Sequence, residues 1–134
     1  MGVFAIKRLG VILLAVCVLG GCAGQDRNRK VADLPFHVVT QKEIPEELLQ
    51  IIEKKKEGAF HLTYEDGGTL YIAVGYGAMD TGGYSIEVPG FYLSDGGIVI
   101  DTNLLGPQEE AVRQISYPYI VVSTEWREEP VLYQ

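Results

Sequence analysis

Residues 60–76 read FHLTYEDGGTLYIAVGY, and this stretch decides the fold. Its apolar and aromatic residues recur with a period of two, the spacing of a strand whose successive side chains point to opposite faces. Phe60–Tyr64 and Thr69–Tyr76 flank Glu65-Asp66-Gly67-Gly68, a turn-rich join of the kind that closes a β-hairpin. In the second strand Leu70, Ile72, Val74 and Tyr76 share one face and form the first candidate core.

Strand signals continue toward the C-terminus. Gly82-Gly83 introduces Tyr84–Val88, with Tyr84, Ile86 and Val88 expected inward and Ser85 and Glu87 outward. Phe91-Tyr92-Leu93 and Ile98-Val99-Ile100 bracket Ser94-Asp95-Gly96-Gly97, a second hairpin signal. A loop with Gly106-Pro107, and a short turn near Glu109–Gln114, leads to Tyr117-Pro118-Tyr119. Ile120–Trp126 is the last well-patterned strand.

On the N-terminal side the period changes. Ile44, Leu48, Ile51 and Ile52 recur at helical spacing within Ile44–Gly58 and make one apolar stripe. Pro45 suits the first helical position, Glu46 and Glu47 the positive end, and Lys54-Lys55-Lys56 the negative end. Gly58 is placed to stop the helix in a left-handed conformation. The lysine run reads as a solvated helix terminus. Phe36–Val39 suggests a short strand before the helix. The sum is an α+β domain: one N-terminal helix with a small antiparallel β-sandwich or strongly curled sheet.

The first 22 residues belong to targeting and not to the fold. Lys7 and Arg8 are followed by an apolar run, Gly10–Val18, too short to span a bilayer stably. Leu19-Gly20-Gly21-Cys22 then resembles the lipobox of bacterial lipoprotein precursors. That resemblance implies a diacylglyceryl thioether on Cys22, cleavage before it, and attachment to the cell membrane or outer membrane, facing away from the cytoplasm. The expected organisation is a signal peptide at 1–21, a polar tether at 22–34 and a domain at 35–134.

Cys17 leaves with the signal, and Cys22 is capped by lipid, so no disulfide or cysteine–zinc site is expected. Without Lys7 and Arg8, nine basic residues face 18 acidic ones, a balance of −9. An acidic chain of this kind does not neutralise phosphates, which excludes nucleic acid as a partner. Membrane attachment is left to the acyl chains.

Chemistry-bearing motifs are missing from the sequence. His37 and His61 each sit in an alternating apolar stretch, and none of Ser85, Ser94, Ser116 and Ser123 lies in a GxSxG elbow. Asp66 and Asp95 precede Gly-Gly and belong to turns. Nothing in the spacing of Asp80 and Asp101 demands a carboxylate pair. Gly75-Tyr76-Gly77 and Gly82-Gly83 do not lead into a helix, so a phosphate cradle lacks its helix terminus. The sequence predicts neither an enzyme nor a metal site nor a cofactor.

Two constellations remain as candidate binding elements. Thr81-Gly82-Gly83-Tyr84, running into Ser85–Val88, pairs an unusual backbone path with a large amphipathic side chain. Tyr117-Pro118-Tyr119, running into Ile120–Val122, places aromatics around an edge-type proline. Core packing at strand starts explains them equally well.

These two segments resemble the C-terminal domain of PrcB-like protease-complex subunits, which carry a TGGYSI-type segment (Thr81–Ile86 here) and a YPY-V-V-type segment (Tyr117–Val122), with a Pro/Gly-rich loop such as Gly106-Pro107 between them. Tyr64–Gly68 also resembles a turn of clostridial-type members. The resemblance spans Pro35 to about Val131. It implies a lipoprotein accessory subunit that stabilises or assembles a surface protease, with no catalytic residues to carry over. Asp80 departs from the proline that members often carry before Thr-Gly-Gly, so this loop differs in shape or charge. A second resemblance is fainter. Thr-Gly-Gly-Tyr is similar to a loop of chagasin-type cysteine-protease inhibitors, although the Asn and Pro of that loop are missing here. The expected binding residues are Thr81, Gly82, Gly83, Tyr84, Tyr117 and Pro118.

Overall fold

The computed structural model describes residues 29–134, so the signal segment and Cys22 lie outside the described residues. The described chain runs through β1 (Lys30–Asp33), β2 (His37–Val38), a 3-10 turn (Gln41–Glu43) and α1 (Glu46–Lys55). It continues through β3 (Ala59–Asp66), β4 (Thr69–Tyr76), β5 (Ser85–Ser94), β6 (Gly97–Leu105), β7 (Tyr119–Glu125) and β8 (Val131–Tyr133).

The strands form two four-stranded sheets that do not close into a barrel, in the orders β1-β5-β6-β8 and β2-β7-β4-β3. The architecture is mostly β, consistent with the α+β class. Between the sheets lies a core of Leu70, Ile72, Phe91, Ile98, Ile100, Ile120 and Val122. The face chosen for β4 is the observed one. Leu70 and Ile72 are buried there, Val74 packs against them, and the Tyr76 hydroxyl meets Thr102 Oγ1 of the opposite sheet at 2.5 Å.

A second core lies on the other side of β2-β7-β4-β3, where Ile44, Leu48 and Ile52 cover Ala73 and Val121. Of the expected helical stripe, Ile44, Leu48 and Ile52 are buried and Ile51 is half-buried. The helix is shorter than expected, because Pro45 is its N-cap and not its first residue. Gly58 is not among the glycines at positive φ; its N–H simply donates to Lys55 O at 3.1 Å. The left-handed stop is therefore not used.

The β3–β4 hairpin turns through Gly67 and Gly68, at φ +60° and +85°, the consecutive left-handed pair that a two-residue turn requires. Three other elements correct the sequence reading. Lys30–Asp33, assigned to the tether, is a strand on the edge of β5. All four of its residues are exposed, so backbone pairing holds it and no apolar period reveals it. Tyr84–Val88 and Phe91–Leu93, read as two strands, belong to one continuous run in which Ser85–Ser94 is the single strand β5. Tyr84, expected inward, precedes the strand and is not in the core. A bulge between Glu87 and Gly90 inserts one residue, and the inward set shifts from Ile86 and Val88 to Phe91 and Leu93. Val131–Tyr133 was not anticipated. It pairs with β6 in parallel, so the sandwich is not wholly antiparallel.

The sandwich is drawn together along both flanks. At one, the chain passes directly from β1 to β2, and Phe36 meets Phe91 edge-on with centroids 5.3 Å apart. At the other, His61 of β3 stacks on Tyr133 of β8 at 3.8 Å.

Candidate functional site

The two hairpin turns, Gly67-Gly68 and Asp95-Gly96, lie at one end of the strands. The long connections 77–84 and 106–118 lie at the other, where Ser85 pairs with Leu105 and Gly75 with Tyr119. All six expected binding residues are at this second end.

Hydrogen bonds hold the two connections together. Met79 and Ser116 exchange both backbone bonds, at 2.8 and 3.0 Å. The Ser116 hydroxyl donates to Thr81 O at 2.6 Å, and Gly82 N–H donates to Val112 O at 3.3 Å. Pro118 O accepts from Tyr76 N–H at 3.0 Å, which ties the second connection to the end of β4.

The glycine pair has a local reason. Gly83 adopts φ +88°, and a Cβ there would lie 2.9 Å from Pro107 Cβ. Only glycine suits both the conformation and the contact. The Tyr84 ring passes beside Gly106, within 3.8 Å of where a Cβ would be. Gly106-Pro107 is thus the floor on which Gly83 and Tyr84 rest. Thr81, Gly82 and Tyr84 are half-buried and Gly83 is exposed, so the loop is partly exposed and leads directly into β5.

Tyr117 and Pro118 are also half-buried. Lys56 Nζ lies 4.9 Å from the Tyr117 ring centroid and pairs with Glu53 at 2.9 Å. The Glu53 hydrogen bond holds the Lys56 ammonium above its ordinary range. Burial raises the Tyr119 phenol, helped by the Glu53 carboxylate and opposed by Lys56. Lys56 therefore belongs partly to this end, whereas Lys54 and Lys55 are exposed as the solvated-terminus reading predicts.

Sequence reasoning missed the apolar skin of the second connection. Val112 is 72 % exposed and Ile115 59 %, with Leu105 exposed nearby at the end of β6. Their only signal is two isolated aliphatics in the polar run QEEAVRQIS, which no strand or helix period claims. Beside Tyr117 and Pro118 lies a groove of about 320 Å³, bordered by Val38, Val39, Ile44 and the start of β7. This end offers aromatic and aliphatic contact area on a hydrogen-bonded frame, which suits the docking of another polypeptide.

Residues 70–125 match the PrcB C-terminal family model. The PrcB C-terminal match begins in β4 and ends with β7. It contains the inner strands of both sheets and both connections of the candidate end. It is narrower than the span expected from the sequence, leaving out β1, β2, α1, β3 and β8. The two segments that first suggested PrcB, Thr81–Ile86 and Tyr117–Val122, both fall inside it. Searches of curated proteins and of solved structures return no match.

Proposed function

We propose that this protein is a membrane-anchored accessory domain that stabilises or assembles an exported protease complex, acting by binding and not by catalysis. The PrcB C-terminal match carries the reading, because it points to association with a protease complex and spans both connections of the candidate end. In this reading Thr81–Tyr84 and Tyr117-Pro118 form the contact with the partner, flanked by exposed Val112 and Ile115.

The path of the chain supports an orientation. Lys30 pairs with Ser94, and Arg29 Nε donates to Asp95 at 3.3 Å, both at the hairpin-turn end. Cys22 precedes Arg29 by only seven residues. β7 has seven residues, and at ~3.3 Å per residue it separates the two ends by about 20 Å. A lipid on Cys22 would join the domain at its turn end through seven residues that extend to at most ~24 Å. A link short of full extension keeps the turn end nearer the membrane than the connections.

Photo-crosslinking from position 84 in native cells, with identification of the captured protein, tests the reading. The expected product is an exported protease that stays active in the complex. A protease silenced by the domain would assign the inhibitor reading instead, and capture of no exported protein would reject both. Tyr84→Ala is expected to weaken capture about tenfold or more with an unchanged melting temperature, as for an aromatic anchor at an interface. A lowered melting temperature, with normal capture by Thr81→Ala, would return Tyr84 to the core. Cys22→Ser should release the domain from membranes or leave an uncleaved precursor. Processing and fractionation like wild type would remove the anchor from the proposal.

A further inference from the structure

The groove beside Tyr117 follows a length of β7 edge that β2 leaves unpaired, and we propose that this edge receives a short extended segment of a partner polypeptide, added as a strand. The inference rests on the reading of the domain as protein-binding and supplies its means.

Pairing with β4 fixes which backbone groups of β7 point where. Ile120, Val122 and Thr124 lie opposite Val74, Ile72 and Leu70. The bonds from Tyr76 N–H to Pro118 O and from Trp126 N–H to Gly68 O continue this even-numbered series at both ends. In an antiparallel ladder alternate residues bond to opposite neighbours. Tyr119, Val121 and Ser123 therefore direct their N–H and C=O groups away from β4, toward β2.

β2 satisfies only part of that edge. His37 pairs with Ser123, and Val39 N–H donates to Val121 O at 2.8 Å. The chain then turns away at Thr40, where Glu43 closes a capping box by accepting from Thr40 N–H at 3.3 Å. Among the described residues no backbone hydrogen bond reaches Val121 N–H, Tyr119 N–H or Tyr119 O on this side. Tyr119 is half-buried and is the open part of this edge. Val121 lines the groove but is only 1 % exposed, so a segment pairs with its N–H only by entering the groove between Val39 and Tyr119.

These groups span about 7 Å of edge at ~3.3 Å per residue, which two or three extended residues can match. The occupant is identified by what it must supply: main-chain donors and acceptors in extended conformation, with apolar side chains for Val38, Ile44, Tyr117 and Pro118. Lys56, beside Tyr117, is already paired with Glu53 at 2.9 Å. Strand addition of this kind takes affinity from main-chain bonds and specificity from alternate side chains.

The probe is a blocked, alternating Thr-Val peptide added to the full chain in mild detergent, read by exchange of single amides. We expect the peptide to slow exchange at Tyr119 and Val121 about tenfold. The same peptide N-methylated at alternate residues should have no effect. Val38→Glu, at a 57 % exposed position, should weaken peptide binding about tenfold without changing the melting temperature. The proposal is overturned if both amides already exchange as slowly as Ile120 and Val122 without peptide. It is also overturned if protection rises with protein concentration alone, which would make the occupant a second copy, or if N-methylation has no consequence. Normal protease capture by Val38→Glu would discard strand addition and leave the accessory reading standing. Peptide uptake by a chain that captures no protease would do the reverse.

Discussion

The sheet β2-β7-β4-β3 is covered on both faces, by the sandwich core and by α1, whereas β1-β5-β6-β8 has only its inner face in the main core. Pairing differs in step with this. β3, β4, β7 and β2 run against one another without a register shift, while β1–β5 and β5–β6 each contain one. In the helix-backed sheet, β4 and β7 are apolar on both faces, as in Leu70–Val74 and Ile120–Val122. A slip of one residue there would still meet apolar surface. In β5 it would turn Ile86, Val88, Phe91 and Leu93 to the outer face, where Ser85, Glu87 and Pro89 are exposed, so register must be corrected there. The β5–β6 bulge keeps an inward set in phase, while the β1–β5 shift falls in a strand exposed throughout.

The largest test of this contrast is deletion of Pro89. The bulge between Glu87 and Gly90 lets Ile86 and Val88, then Phe91 and Leu93, all face the core. Without the extra residue the strand must expose one pair or abandon its ladder with β6. The expected loss approaches the whole stability of such a domain, of order 5–15 kcal/mol. Circular dichroism would show a non-cooperative melt. A cooperative transition near the wild-type temperature would refute the phase argument.

In the helix-backed sheet the tightest constraint is steric. Phe60 lies across Gly75, its partner on β4, and a Cβ on Gly75 would clash with the carbons on one side of the Phe60 ring. Gly75→Ala must push the ring off its site, at an expected cost of ~1–3 kcal/mol. Phe60→Leu alone is also destabilising, but in the Gly75→Ala background it should recover part of the loss. Denaturant melts of the four proteins give the coupling, expected at ~0.5–3 kcal/mol. Additive single effects would show that the ring and the glycine do not compete.

The same contrast explains what the sequence makes legible. α1 and the β3–β4 hairpin follow from local periods and the Gly67-Gly68 turn, because burial and turn chemistry act directly on those residues. The phase slip in β5 is visible as even-numbered apolar positions giving way to odd ones, but two strands and one bulged strand predict the same pattern. β1 and β8 were hidden for another reason. Lys30–Asp33 is exposed throughout and Val131–Tyr133 is three residues long, so distant backbone partners define them. At the candidate end, Thr81–Tyr84 and Tyr117-Pro118 could be named from residue type. Their union through Met79, Ser116 and Pro107 required the fold, as did the exposure of Val112 and Ile115.

The smallest expected effect concerns the flank where the two sheets meet, and it is read by alkaline titration. Burial raises the Tyr133 phenol from 10.0 to about 12, and its ring stacks on His61 across the gap between β3 and β8. Tyr64, inside the helix-backed layer, is also raised to about 12, chiefly by its 2.6 Å hydrogen bond to Glu47 of α1. An unfolded chain releases these protons near pH 10, while the folded chain keeps them to about pH 12. Stability from both groups is therefore fully present below pH 10 and is lost as pH rises toward 12. Tyr133→Phe keeps an aromatic ring against His61 but cannot ionise, so its melting temperature should fall less steeply across that window than the wild type's. Tyr64→Phe should also flatten the slope, with a small loss at neutral pH from the missing bond to Glu47. The two variants separate the flank from the helix contact. Equal slopes for Tyr133→Phe and wild type, with ultraviolet absorbance showing phenolate already formed near pH 10, would mean that water reaches Tyr133 and that the two sheets are not sealed there.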